Sequence, residues 1–348
     1  MVPPVSMSVI VTAHQRPTYL RAAVESALHQ SLPRSEYEVL VTKDFTDPDL
    51  DRFLDAAGVR VVPYREAELG PMYVRAASEA KGDVLLFLDD DDLFEPTKLA
   101  QTDRIFRNSP DLSYFHHWYH PIDQAGRPLD PSLHRDRERR HRLQVGSLWL
   151  PGAEAVARLQ PLPELAADFC GSCTVVRRDL ISDRRSYCGD PEMNAPDTFL
   201  FFSALLSGGS LAIDPMPLTR YRLHLANHSR PRTPEERALW HERLDRSYRL
   251  ILRMAEAEGP PELVREAEAL LLLHRIDRAL EDPRVSRSEI RALYRAGRRL
   301  IGTHRWNART RAFGHRGLLV LLSLYAISPR LAGATRNRWR NAGSGPAL

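Results

Sequence analysis

Residues 85–96 read LLFLDDDDLFEP, an apolar run that ends on four consecutive aspartates. Adjacent carboxylates repel one another, so they need a cation, a set of hydrogen-bond donors or open water. Carboxylate oxygens at the end of a strand suit a hard divalent cation such as Mg²⁺ or Mn²⁺, which keeps several waters or takes up a diphosphate. If strand alternation persists to the tip, Asp89 and Asp91 point to one side and address one ion. The plainer reading is a helix cap, with Asp92 or Glu95 serving the helix that follows. A cap needs one acidic residue, and four is an excess.

The elements that must carry these residues follow from periodicity. SVIVTA (8–13), EVLVT (38–42), VRVVPY (59–64) and DVLLFL (83–88) are short apolar runs of the kind found in buried strands. Between them, YLRAAVESALHQ (19–30), DLDRFLDAA (49–57) and MYVRAASEAKG (72–82) have helical spacing, and EPTKLAQTDRIFR (95–107) starts a further helix with Pro96 in its first turn. Strands alternating with helices imply parallel pairing through crossovers, hence an α/β sheet with helices on both faces. Ligands of open α/β sheets collect beyond the carboxyl ends of the strands. TAHQR (12–16), TKDFTD (42–47) and the aspartates therefore share one rim.

Beyond residue 120 the pattern changes. Residues 121–146 are polar and rich in turn formers, a long loop or hairpin whose mixed run from His134 to Arg142 reads as solvated surface or a lid. TVVRRDLI (174–181) reads as a strand leading into a helix, DTFLFFSALLSGG (197–209) as a helix with a Gly-Gly stop, and 210–224 as extended. From Thr233 the chain reads as helical, with breaks near Gly259, Asp282 and Gly302. His116, His117 and His120 lie on an expected strand, where a core or acceptor-side role suits them better than a metal site. The three cysteines, Cys170, Cys173 and Cys188, exclude a disulfide framework; Cys170 and Cys173 have CxxC spacing but no second pair to complete a zinc site.

SVIVTAHQRPTYLRAAVESALHQS, EVLVTKDFTD and GDVLLFLDDDDLFEPTKL, followed by ADFCGSCTVVRRDL, APDTFLFFSALLSGG and LTRYRLHLANHS, resemble in order and spacing the family 2 glycosyltransferases. The resemblance implies the GT-A fold, a Rossmann-like, mostly parallel sheet flanked by helices. It implies a catalytic domain over 1–230, which leaves 231–348 as a C-terminal helical domain. It also implies an inverting enzyme with a nucleotide-diphosphate sugar donor and Mn²⁺ or Mg²⁺. Carried over by position, Thr12, Ala13 and Arg16 line the nucleotide pocket, Asp44 bonds the base, and Arg75 assists base or diphosphate. Asp89 and Asp90 fall to the donor, Asp89, Asp91 and His224 to the metal, and Asp197 is the general base. The family's Glu-Asp pair is Pro196-Asp197 here, and its Arg-Asn pair is absent.

Inverting transfer asks for one base to take the acceptor's proton, and a metal to neutralise the leaving diphosphate. The donor expected is a UDP- or GDP-sugar and the acceptor a hydroxyl of a glycan, polysaccharide or lipid-linked sugar, as in building a cell envelope. The rival readings are a nucleotidyltransferase, for which no glycine- and lysine-rich triphosphate loop appears near residues 12–18, and a nucleotide-sugar-binding protein without catalysis. The formal charge of +4 sits in the tail: residues 301–348 hold eight arginines and no acid, leaving −4 for the rest. GLLVLLSLYAI (317–327), between Arg316 and Arg330, is too short to span a bilayer. It reads as a core helix or as an interfacial one against anionic lipid, flanked by Trp306 and Trp339. Nucleic acid is not expected. The chain shows no secretory signal pattern, so the expected place is cytoplasmic, peripheral at the membrane's inner face if the tail is interfacial.

Overall fold

The computed structural model describes residues 6–64, 68–129, 147–158, 170–224, 233–282 and 285–303. The expected lid run (134–142) and the arginine-flanked segment 317–327, with Trp306 and Trp339, lie outside the described residues. Contacts divide the chain into two compact units: among the described residues the first holds those up to Leu129, 147–155 and 170–224, and the second holds 156–158 and the helices from Thr233 onward.

Among its described residues the first unit has nine strands: β1 (Met7–Ala13), β2 (Tyr37–Lys43), β3 (Arg60–Pro63), β4 (Val84–Asp89), β5 (Leu93–Phe94), β6 (Leu112–Ile122), β7 (Leu148–Leu150), β8 (Thr174–Arg177) and β9 (Ser210–Arg222). They form one sheet in the order β3-β2-β1-β4-β8-β6-β9-β5, with β7 paired to β9. β1 through β4 pair in parallel, as the βαβ alternation requires. The sheet is mixed beyond β4, because β8 runs antiparallel to both β4 and β6. β5, only two residues long, follows the aspartates without any periodic signal in the sequence, and it pairs with β9.

Both faces of the central strands are covered. Alternate residues Val9 and Val11 of β1, and Leu86 and Leu88 of β4, pack with Leu20, Val24, Leu54, Leu99 and Phe106 from the helices Leu20–Leu28, Pro48–Ala56 and Lys98–Asn108. On the other face Phe87 stacks on Tyr73 of the helix Leu69–Glu79, with ring centroids 4.1 Å apart. Every residue of β1 is buried, which is why SVIVTA carries no polar alternation. The helix Pro196–Ser207 ends at Gly208, whose φ of 76° lies in the left-handed region that glycine enters without a Cβ clash.

Two local expectations differ. Pro96 precedes its helix rather than opening it: the helix starts at Lys98, behind Thr97. Nor does Asp92 cap that helix, since the helix has no side-chain cap and Asp92 is fully buried elsewhere.

In the second unit, the helices Pro234–Glu258 and Pro261–Glu281 form an antiparallel pair broken at Gly259-Pro260, and a third helix covers Arg287–Thr303. Thr233 caps the first in a capping box with Glu236. No described helix is long and apolar enough to cross a membrane.

Candidate active site

Strand order places the site. From β1 the chain moves outward through β2 and β3, then returns to put β4 on the other side of β1. The carboxyl ends of β1 and β4 thus flank a topological switch point, the ligand crevice of such sheets. Thr12 and Asp89 are register partners there, and the Thr12 hydroxyl donates to Asp89 Oδ1 at 3.1 Å. Ala13 is the buried last residue of β1.

The four aspartates do not alternate as a strand would. β4 ends at Asp89, and the chain turns there, with the Asp92 amide donating to the Asp89 carbonyl. The turn splits them in a way strand periodicity does not anticipate. Asp90 and Asp91 face Arg16, while Asp92 turns inward with Cys170.

Arg16 reaches in from the loop after β1. Its Nε donates to Asp90 Oδ2 at 3.0 Å, and Nη2 to Asp90 Oδ1 at 2.5 Å and Asp91 Oδ2 at 2.7 Å. His224 Nε2 lies 2.8 Å from the same Asp91 oxygen and 3.3 Å from Arg16 Nη1. The repulsion among the aspartates is thus met in part by the protein's own Arg16 guanidinium. Burial opposes ionisation of Asp91, but the His224 bond and Arg16 charge outweigh it and hold its carboxyl below the ordinary range. Burial lifts Asp90 to about 6 against the pull of Arg16. Asp89 is pushed up to about 7 by burial first, then by the charges of Asp91 and Asp90, with Asp197 contributing.

Asp92 accepts the Arg222 amide at 2.8 Å, and the Arg222 Nε donates to the Asp91 carbonyl at 2.6 Å. Burial pushes the Asp92 carboxyl well up, favouring its protonated form. Beneath it, the Ser172 hydroxyl accepts the Asp89 amide at 3.0 Å, and the Ser172 carbonyl accepts Lys98 Nζ at 2.7 Å.

Asp44 ends the loop side of β2. It takes His14 Nδ1 at 2.7 Å and the Gln15 amide at 2.7 Å, which holds Gln15 at a left-handed φ of 52°. Asp197 lies in the first turn of the helix Pro196–Ser207, where the helix dipole favours a carboxylate, and its Oδ1 accepts the Thr198 amide at 2.9 Å. Its charge is the last of those that raise Asp89. Arg75 is not brought to this group. It is exposed on the helix Leu69–Glu79, in a surface groove with Arg185 and Ser186. His116 and His117 are buried, His117 as a neutral imidazole whose protonation burial disfavours, and His120 is exposed.

Two donor sets could hold a cation. Asp91 Oδ2 and His224 Nε2 converge within 2.8 Å of one another; the carboxylate suits Mg²⁺ or Mn²⁺, and the imidazole favours Mn²⁺ over the harder Mg²⁺. Asp89, Asp92 and Cys170 also offer atoms within 4.8 Å of one another. Burial pushes the Cys170 thiol well up, so this set presents a protonated thiol, a poor partner for a hard cation.

The sequence reading passed over Tyr19, whose ring lies under the Arg222 guanidinium at 4.7 Å and beside His224 at 5.1 Å. An aromatic residue at a helix entry gives no signal of such a role. His14, within TAHQR, could have been paired with Asp44 from their positions at neighbouring strand ends.

The family model for glycosyl transferase family 2 matches residues 8–185. Among curated proteins, the chain is similar to an uncharacterized glycosyltransferase of Haemophilus influenzae, 29% identical over 113 residues, which is 32% of this chain and 38% of that one. A second uncharacterized glycosyltransferase, from Nostoc sp., is 29% identical over 117 residues, 32% of this chain and 36% of its own length. The chain therefore spans less than two-fifths of these relatives. Among solved structures, S. aureus TarS 1–349 in complex with UDP-GlcNAc superposes with a TM-score of 0.59 at 16% identity, covering 98% of this chain and 93% of that one. The complex of the same protein with UDP gives 0.55 at 16% identity, covering 96% and 91%. At that identity the likeness speaks for the fold. With more than half of its length matched by the family model, the chain belongs to glycosyl transferase family 2.

Proposed function

We propose that this protein is a metal-dependent, inverting glycosyltransferase that moves a sugar from a nucleoside-diphosphate donor to a hydroxyl acceptor. The observation that carries the reading is the convergence of Thr12, Asp89, Arg16, Asp91 and His224 at the β1/β4 switch point, with Asp197 in electrostatic reach of Asp89. TarS, which shares the fold, is seen with UDP-GlcNAc and with UDP, which supports a UDP-sugar as the first donor to try.

In this reading Asp44 and the end of β1 (Thr12, Ala13) receive the nucleoside, while Asp89 and Asp90 face the ribose and diphosphate. Asp91 and His224, with Asp89, would hold Mn²⁺ or Mg²⁺, whose charge offsets the one growing on the leaving diphosphate. Arg16 adds a fixed positive charge on the same side. Asp197 takes the proton of the acceptor hydroxyl as that oxygen attacks the sugar carbon, and the carbon inverts because no protein nucleophile intervenes. Arg75, exposed in a surface groove with Arg185 and Ser186, is given no part in the scheme. The acceptor proposed is a glycan or lipid-linked sugar of a cell envelope, reached at the inner face of a membrane.

Asp197→Asn tests the assignment. Transfer measured as nucleoside diphosphate release should fall by at least about 10²-fold, while calorimetric affinity for donor and Mn²⁺ stays within twofold. Near-normal turnover in this variant rejects Asp197 as the base.

A further inference from the structure

Tyr73, on the helix Leu69–Glu79, has the surroundings of a site residue. The side chain is buried, and its ring is clamped on Phe87 of β4 at a 14° interplanar angle, one residue from the strand position that leads to Asp89. Its hydroxyl occupies space that Gly171 leaves open. A Cβ on Gly171 would stand 2.6 Å from the Tyr73 oxygen and 3.9 Å from Asp89 Oδ1. After burial, the charges acting most strongly on the phenol are those of Asp89 and Asp197, followed by Cys170 and Cys188. Burial and these carboxylates push its ionisation well up, so it stays a neutral hydrogen-bond donor, with Asp89 Oδ1 at the same glycine.

A sugar hydroxyl both donates and accepts, so it can donate to one carboxylate while accepting from a phenol. Resting on the donor-binding reading above, we propose that Tyr73 contacts the transferred sugar beside Asp89, through its hydroxyl, and makes no contact with the nucleotide. Gly171 is then required at its position because any side chain would displace that hydroxyl.

The test compares a nucleotide with its sugar ester. Titration calorimetry on the full chain with Mn²⁺ uses UDP against UDP-N-acetylglucosamine, and GDP against GDP-mannose as the second pair. Tyr73→Phe keeps the ring on Phe87 and removes only the hydroxyl. It should weaken binding of the sugar nucleotide by roughly three- to tenfold and leave the bare nucleotide unchanged. Gly171→Ala, which crowds the same oxygen, should give the same selective loss. Equal losses for nucleotide and sugar nucleotide, or no loss for either, overturn the proposal. A wild-type protein that binds neither pair overturns the donor reading instead, a failure seen before any variant is made.

Discussion

Arg16 stands between two roles that compete. It neutralises Asp90 and Asp91, both buried, and it touches His224, the imidazole that shares Asp91 Oδ2 with it. Removing one partner of a buried ion pair leaves the other charge uncompensated, at a cost of about 3 kcal/mol or more. Arg16→Met should therefore lower the unfolding free energy by about that amount, measured by denaturant titration in EDTA. Because Asp91 and His224 remain, added Mn²⁺ should raise the melting temperature of the variant more than that of the wild type. An equal or smaller shift in the variant would contradict a cation site at Asp91 and His224. The sequence made Asp89 and Asp91 legible as acidic groups at a strand end. It could not show that the chain turns at Asp89, because four identical residues carry no periodicity to read.

At the scale of elements, the helix Lys98–Asn108 and the turn at 170–173 support the aspartates from below. Lys98 is fully buried, with Nζ 2.7 Å from the Ser172 carbonyl, 3.3 Å from the Thr219 hydroxyl and 3.6 Å from the Phe94 ring centre. This joins the helix to β5, β9 and the turn that bonds the Asp89 amide. The strands and helices of this half were legible because period-2 and period-3.6 patterns follow burial directly. The turn was not: it depends on Cys170 at a φ of 68°, which no spacing announces. Burial lowers the Lys98 amine from 10.5 to about 7. A base with a depressed folded-state value binds fewer protons folded than unfolded between those two values, so its contribution to stability rises with pH from 7 towards 10.5. Lys98→Met removes that gain. The stability difference, wild type minus variant, should grow by on the order of 3 kcal/mol between pH 7 and 10, read by urea unfolding at each pH. A difference independent of pH would mean that Lys98 is charged in the folded protein.

At the scale of the whole molecule, family membership attaches to the sheet, and the helices from Thr233 onward carry their own polar interior. The helical register of that half was visible in the sequence, as were the breaks at Gly259 and Asp282, because proline and glycine interrupt it there. What pairs the helices was not visible: His274 Nε2 lies 2.9 Å from the His241 carbonyl, and the buried Asp245 takes Arg275 at 2.7 Å. Burial lowers the His274 imidazole from 6.5 to about 4, outweighing its bond to that carbonyl. The unfolded chain therefore binds a proton near pH 6.5 that the folded helices accept only near 4. Stability from this residue is complete above 6.5 and drains away as the pH falls towards 4. His274→Gln keeps a donor for the His241 carbonyl but cannot titrate. Between pH 7 and 4.5 the wild type should lose roughly 2 kcal/mol more than the variant, measured by helical circular dichroism during urea unfolding. Parallel losses in the two proteins would show that His274 accepts its proton without opening the helix pair, and that the acid sensitivity of this half lies in its ion pairs around Asp245.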